Sequence, residues 1–262
     1  MSIPMRRAIG GVCCAVGLLA STAQAQFVEL IEKTKPSILI VGTYKATNSP
    51  RFALRGTGFV VADGNLAITN AHVLPQAGEA TTDGADLVVQ VRVGTELQMR
   101  AATVVEVDRP RDLALLRFDG VRAPALVLGD SDAVKEGQTI AFTGFPIGGA
   151  LGFSPVTHRG MVSSITPIVL PAANDQRLSA RSIRSVRDGA FNIFQLDATA
   201  YPGNSGGPVF DPQTGAVLGV INMVFVRGSR ETALTQPSGI TYAIPSNFIA
   251  PLLQRGASGQ PR

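Results

Sequence analysis

The chain has 262 residues, an apolar fraction of 45% and only 16% charged residues, a globular balance with enough length for a substantial core in one domain or two small ones. Its 28 Gly, 17 Pro and lack of Trp favour many turns over long helices. The 23 basic residues fall to 21 once Arg6 and Arg7 of the leader are set aside, against 19 acidic ones, which argues against a nucleic-acid partner.

The opening MSIPMRRAIGGVCCAVGLLASTAQAQ has a basic start, an apolar run from Ala8 to Ala20, and small residues at Ala23 and Ala25. It reads as a secretory signal peptide over residues 1–25, cleaved after Ala25, and so predicts a periplasmic or secreted protein. The run is shorter than the ~20 residues that span a bilayer, so no membrane association is expected after cleavage. Both cysteines, Cys13 and Cys14, fall inside this leader. The mature chain is then expected to carry neither thiol nor disulfide and to depend on packing for its stability outside the cytoplasm.

From Pro36 onward the apolar residues alternate rather than recur at helical spacing. DLVVQVRVG sets Val89, Val91 and Val93 opposite Gln90 and Arg92, the two-residue period of a half-buried strand. Similar runs occur at SILIVGTY, GTGFVVA, NLAITN, RAATVVEV, DLALLRF, QTIAFTGF, GMVSSI, NIFQL, AVLGVINMVF and ITYAI. Most are separated by Gly, Pro, Asp or Asn, the pattern of an all-β barrel or sandwich. Helix is expected only at Phe27–Lys35 and in SNFIAPLLQRG, with Ser246 as N-cap and Gly256 as stop. Between the strands, Arg177, Arg181, Arg184 and Arg187 recur at spacings of three or four. They read either as a solvated surface loop or as one face of a helix.

In YPGNSGGPVF a single serine, Ser205, stands among three glycines and two prolines. Such a stretch is a tight turn at the least; it is also what a nucleophile needs if flanking backbone N–H groups are to approach a substrate oxygen. A base is quickly sought, because the chain has two histidines. His72, in LAITNAHVL, directly follows an alternating strand; His158 lies mid-strand in SPVTHRGMV and reads as structural. Asp112, entering the apolar run DLALLRF, is either a turn cap or a carboxylate that meets its burial cost by accepting a histidine N–H. Together His72, Asp112 and Ser205 supply every part of a nucleophilic triad. The rival reading of GNSGG as an α/β-hydrolase elbow requires a histidine after the serine, and none follows Ser205.

The motifs TNAHVL, DLALLRF, LGDSDAVKEGQTIAFTGFPIGG, DATAYPGNSGGPVF and GITYAIPSNFI resemble, in order, the protease domain of the HtrA/DegP family of trypsin-like serine proteases. The resemblance runs from about Phe27 to Leu253. It implies an all-β, chymotrypsin-like double six-stranded β-barrel: barrel one about 36–122, barrel two about 123–245, and a C-terminal helix about 246–255, within a protease domain of 26–262. His72 and Asp112 would come from the first barrel and Ser205 from the second. Three departures stand out: no PDZ domain is expected after the protease region, the 168–190 segment is longer and more basic than is usual in the family, and DATAY replaces DAAIN before the nucleophile.

On this resemblance His72 takes the Ser205 proton, Asp112 holds the imidazole, and the N–H groups of Gly203 and Ser205 form the oxyanion hole. Asn204, where digestive enzymes of this type carry an aspartate, cannot pair with a newly cut N-terminus. The specificity pocket is expected from Thr199, Ala200 and Tyr201 on one side and Asn222, Met223 and Val224 on the other, with Asn222 also within reach of Asp112. None is charged, which favours small or medium aliphatic side chains before the scissile bond. The expected partners are unfolded or peptide substrates; homo-oligomers are left open, and neither metal nor cofactor is expected. Two alternatives stay beside this reading: a glutamyl endopeptidase of the same fold with His158 in its pocket, and a non-catalytic peptide binder on a protease scaffold.

Overall fold

The computed structural model of the protein describes residues 25–75, 84–146, 152–168, 191–223 and 239–258. The leader up to residue 24, the Arg177–Arg187 segment and Val224 lie outside the described residues.

Among the described residues, twelve antiparallel strands close into two six-stranded barrels. The first is built from β1 (Ile38–Tyr44), β2 (Phe52–Val61), β3 (Leu66–Thr69), β4 (Asp86–Val93), β5 (Glu96–Asp108) and β6 (Leu113–Phe118), in the spatial order 1-2-3-6-5-4. The second comprises β7 (Thr139–Gly144), β8 (Val156–Ile168), β9 (Phe191–Asp197), β10 (Pro208–Phe210), β11 (Val217–Asn222) and β12 (Ile240–Pro245), in the order 10-11-12-9-8-7. The expected double six-stranded barrel is therefore the fold observed.

One strand escaped the alternation pattern. β10 has only three residues and opens on Pro208, a position where the missing N–H costs a strand least. It nevertheless closes the second barrel, pairing Val209 with Phe142 of β7 on one side and Gly219 of β11 on the other.

Where the two barrels meet, strands are buried on both faces. Leu39, Val41, Val60, Ala67, Ala114 and Leu116 pack with Val89 and Val91 inside the first barrel. The residues between them, Ile38, Ile40, Phe59, Ile68 and Leu115, turn outward onto Phe145, Val220 and Ile244 of the second. Burying each such side chain contributes roughly 1.5–3 kcal/mol, so the first barrel gains from the seam as well as from its own interior. The seam is also where the candidate site lies.

Helix α1 covers residues 25–34 and seats Phe27 against Ala141 and Phe210 of the second barrel. Helix α2 (Ile249–Ser258) follows a 3-10 turn, Ser246–Phe248, and buries Ile249 and Leu252 in the seam. Two expectations about its ends are corrected. Ser246 makes no capping bond; its hydroxyl donates to the Gly129 carbonyl at 2.9 Å, on the segment joining the barrels. Gly256 does not stop the helix: a Cβ there would lie 2.7 Å from Leu115 Cδ2 and 2.9 Å from Val105 Cγ1. The glycine allows close approach of helix to barrel.

Candidate active site

His72 sits in a 3-10 turn, Ala71–Val73, directly after β3. Asp112, forty residues on, occupies the corner between a second 3-10 turn and β6, in a left-handed conformation with φ 53° and ψ 42°. Aspartate tolerates that region better than most side chains. The corner turns both its carbonyl and its carboxylate towards the histidine turn. The carbonyl accepts from Ala71 N at 3.1 Å and from Asn70 Nδ2 at 3.0 Å; Oδ1 accepts from His72 N at 2.8 Å and Oδ2 lies 2.6 Å from His72 Nδ1. A carboxylate oxygen only accepts, so in the neutral imidazole the proton sits on Nδ1 and the Nε2 lone pair is free.

The carboxylate is 11% exposed and the imidazole 28%, so the acid is shielded while the ring still reaches solvent. Asn222, fully buried at the end of β11, donates its Nδ2 to Asp112 Oδ2 at 2.7 Å. That places its side chain on the acid, as the sequence allowed, with none of it exposed. The next residue, Met223, directs its N–H at Ser205 Oγ, 3.4 Å away. One strand end thus touches both the carboxylate and the serine.

Two consecutive turns lead through Ser205, which sits in the second. Asn204 N donates to Tyr201 O at 3.0 Å and Gly207 N to Asn204 O at 2.9 Å. Gly203 (φ 103°) and Gly206 (φ 86°) hold the third positions, and a positive φ there alone defines type II turns. Pro202 before Gly203 suits the same geometry. A methyl on Gly206 would overlap the Thr57 carbonyl, and one on Gly207 the Thr143 carbonyl. The cleared space around Ser205 is therefore occupied by neighbouring backbone.

Strand β2 brings the two halves together. Thr57 N donates to Ser205 O at 2.8 Å. A Cβ at Gly56 would stand 2.7 Å from Val73 Cγ2 and 2.9 Å from Ser205 O, so the residue after His72 and the serine carbonyl meet across one glycine. Arg55 Nε and Nη2 donate to the carbonyls of Val73 and Leu74 at 2.6 and 3.0 Å, bracing the histidine turn. Sequence reasoning passed over Arg55 and Thr57. The one signal was a hydroxyl between two glycines in a buried run, and their partners lie far away in sequence.

Of the remaining predicted residues, Ala200 is buried and Thr199 and Tyr201 are half-buried. Ala200 N donates to Thr241 Oγ1 at 3.1 Å, which donates to Ala198 O at 2.7 Å, fixing this wall to β12. Met223 packs against the second-barrel core. His158 is half-buried, stacked 4.8 Å from the Phe142 ring and 6.4 Å from that of Tyr201, with Nε2 buried and unpartnered. Burial holds its pKa below the usual histidine value. Asn204 is fully buried, and neither polar atom of its amide has a partner. Among the described residues, no three His, Cys, Asp or Glu side chains converge as metal ligands, and no helix is long and apolar enough to cross a membrane.

Comparison with known proteins identifies the family. The trypsin-like peptidase domain model matches residues 56–220. A DegP-like periplasmic serine endoprotease of Halomonas elongata is 32% identical over 72% of this chain and 32% of its own. The mitochondrial serine protease HTRA2 of Drosophila willistoni is 31% identical over 80% of this chain and 40% of its own. The chain thus spans about a third to two fifths of the length of these relatives. Among solved structures, the HtrA-type protease AlgW with a decapeptide matches with a TM-score of 0.62 at 20% identity, over 88% of this chain and 67% of that one, a likeness of fold. The chain belongs to the trypsin-like peptidase family, and its relatives there are the HtrA and DegP proteases.

Proposed function

We propose that this protein is a serine endopeptidase of HtrA type, exported by the leader of residues 1–25 to the periplasm or beyond, which cuts unfolded or damaged proteins. The observation that carries this reading is the hold of Asp112 on His72 through both ring and backbone, at 2.6 and 2.8 Å. That hold fixes the tautomer whose Nε2 can accept a proton.

In the proposed reaction Ser205 Oγ attacks a peptide carbonyl carbon while its proton passes to His72 Nε2. Asp112 stabilises the resulting imidazolium. The carbonyl oxygen becomes an oxyanion, received by the N–H groups of Gly203 and Ser205. As the C–N bond breaks, Nε2 returns the proton to the leaving amine. Water then repeats the sequence on the acyl-enzyme, releasing the acid and restoring Ser205.

The pocket would be lined by Thr199, Ala200, Tyr201, Met223 and Val224, with Asn222 contributing backbone alone because its amide is engaged. An aliphatic residue before the scissile bond suits this uncharged wall. Burial holds the His158 pKa below the usual histidine value, which weakens it as a counter-ion for glutamate and so disfavours the glutamyl alternative.

Incubation of the purified protein with casein tests the reading. Cleavage is expected that a serine-directed phosphonate blocks and Ser205→Ala abolishes. In a peptide series, kcat/KM should be higher for Val, Ala, Ile or Leu before the bond than for Glu, Lys or Arg. Casein left intact by the wild type would leave a peptide binder as the better reading, and a preference for Glu would overturn the assigned pocket.

A further inference from the structure

Thr57 lies in the first barrel, yet its side chain serves the second. The residue is fully buried and every polar group on it is used. Its N–H donates to Ser205 O at 2.8 Å, and its carbonyl accepts from Thr69 Oγ1 at 2.7 Å. Its hydroxyl donates to Gly203 O at 2.6 Å and accepts from Phe145 N at 3.0 Å. Two of these four bonds end on the turn that carries the serine, a stretch nearly 150 residues away in sequence.

The bond to Gly203 O has a particular consequence. Gly203 stands at φ 103°, where glycine has wide freedom and no side chain restrains it. Its carbonyl belongs to the planar peptide unit that continues into Asn204, whose N–H donates to Tyr201 O at 3.0 Å. The hydroxyl therefore fixes one end of this unit and the turn bond fixes the other. With that plane held, the torsions of Gly203 alone decide where its own N–H points. Phe145 N, in turn, keeps the Thr57 hydroxyl proton directed at Gly203, since its donation occupies the oxygen lone pair on the other side.

We propose that Thr57 is a positioning residue for catalysis: its hydroxyl orients the Gly203 turn so that the Gly203 N–H faces the developing oxyanion. This rests on the serine-endopeptidase reading above. Thr57→Val removes the hydroxyl at nearly constant shape and leaves Gly203 O without its donor. A lost oxyanion-hole donor lowers turnover by about 10²–10³-fold; a donor that is misdirected rather than lost should cost about 10–100-fold.

The test compares wild type, Thr57→Val and Thr57→Ser on one chromogenic peptide, together with inhibition by the matching peptide boronic acid, whose serine adduct places an oxygen in the oxyanion site. In Thr57→Val, kcat is expected to fall about 10–100-fold with KM within about threefold, and boronate affinity to fall in parallel. The pH midpoint of kcat/KM should stay put, because the His72–Asp112 pair is untouched. Thr57→Ser should restore kcat to within about threefold. Thr57→Ala removes the same hydroxyl with less bulk and carries the same expectation where the valine variant does not fold. Wild-type kcat and boronate affinity in Thr57→Val or Thr57→Ala would overturn the inference, as would equal losses in the serine and valine variants. A wild type that neither hydrolyses the peptide nor reacts with a serine-directed phosphonate would instead overturn the functional reading itself.

Discussion

At Asp112 both carboxylate oxygens accept from N–H groups: Oδ1 from the His72 backbone, Oδ2 from the His72 ring and the Asn222 amide. Asp112→Asn cannot reproduce this in either orientation of its amide. An NH₂ at the Oδ2 position faces two donors and drives the ring proton to Nε2; an NH₂ at the Oδ1 position opposes the backbone N–H. Asparagine also tolerates the left-handed backbone of this corner, so the substitution isolates hydrogen bonding from conformation. Turnover of a chromogenic peptide is expected to fall about 10⁴-fold, and a fall of less than tenfold would show that the imidazole does not depend on this acid. His72, Asp112 and Ser205 were legible as candidates because few histidines compete and the serine stands in a distinctive glycine-rich run. Arg55 and Thr57 were not, because their roles consist of contacts with segments that only the closed barrels bring near.

Among the elements, local pattern served the long strands and failed at short or crowded ones. β10 is three residues long, too brief for a period to register, and it exists because β7 and β11 flank it. Gly256 misled in a different way. A glycine late in an amphipathic run is commonly a helix terminus, whereas here the helix passes through it because Leu115 and Val105 leave no room for a side chain. Propensity and packing therefore make opposite forecasts for Gly256→Leu. Helix propensity favours leucine over glycine by somewhat less than the ~0.8–1 kcal/mol that separates glycine from alanine, while forcing a large side chain against the fully buried Leu115 costs about 1–3 kcal/mol. A lower thermal midpoint is expected, measured in a Ser205→Ala background to prevent self-cleavage. A raised midpoint would mean that α2 is not held against the barrel as described.

Across the whole molecule, one apolar cluster draws on β1, β2, β3 and β6 of the first barrel, β11 and β12 of the second, and α2. Neither barrel can lose its structure without exposing the other's outward face. Thermal unfolding of the Ser205→Ala protein, followed by circular dichroism and by tyrosine fluorescence, should give coincident transitions; separate midpoints would show two independent units. The double-barrel architecture itself was legible through ordered motifs from both halves, but the shared seam was not, since alternation along a strand does not say what covers its second face. The same seam sets an order of events during synthesis. The ribosome releases His72 and Asp112 with the first barrel, well before the turn of Ser205, the amide of Asn222 and the helix that inserts Ile249 and Leu252. The proposed triad is therefore incomplete until the strands and turns of the second barrel have been made and closed onto the first, so the site is absent while most of the chain is still unfolded.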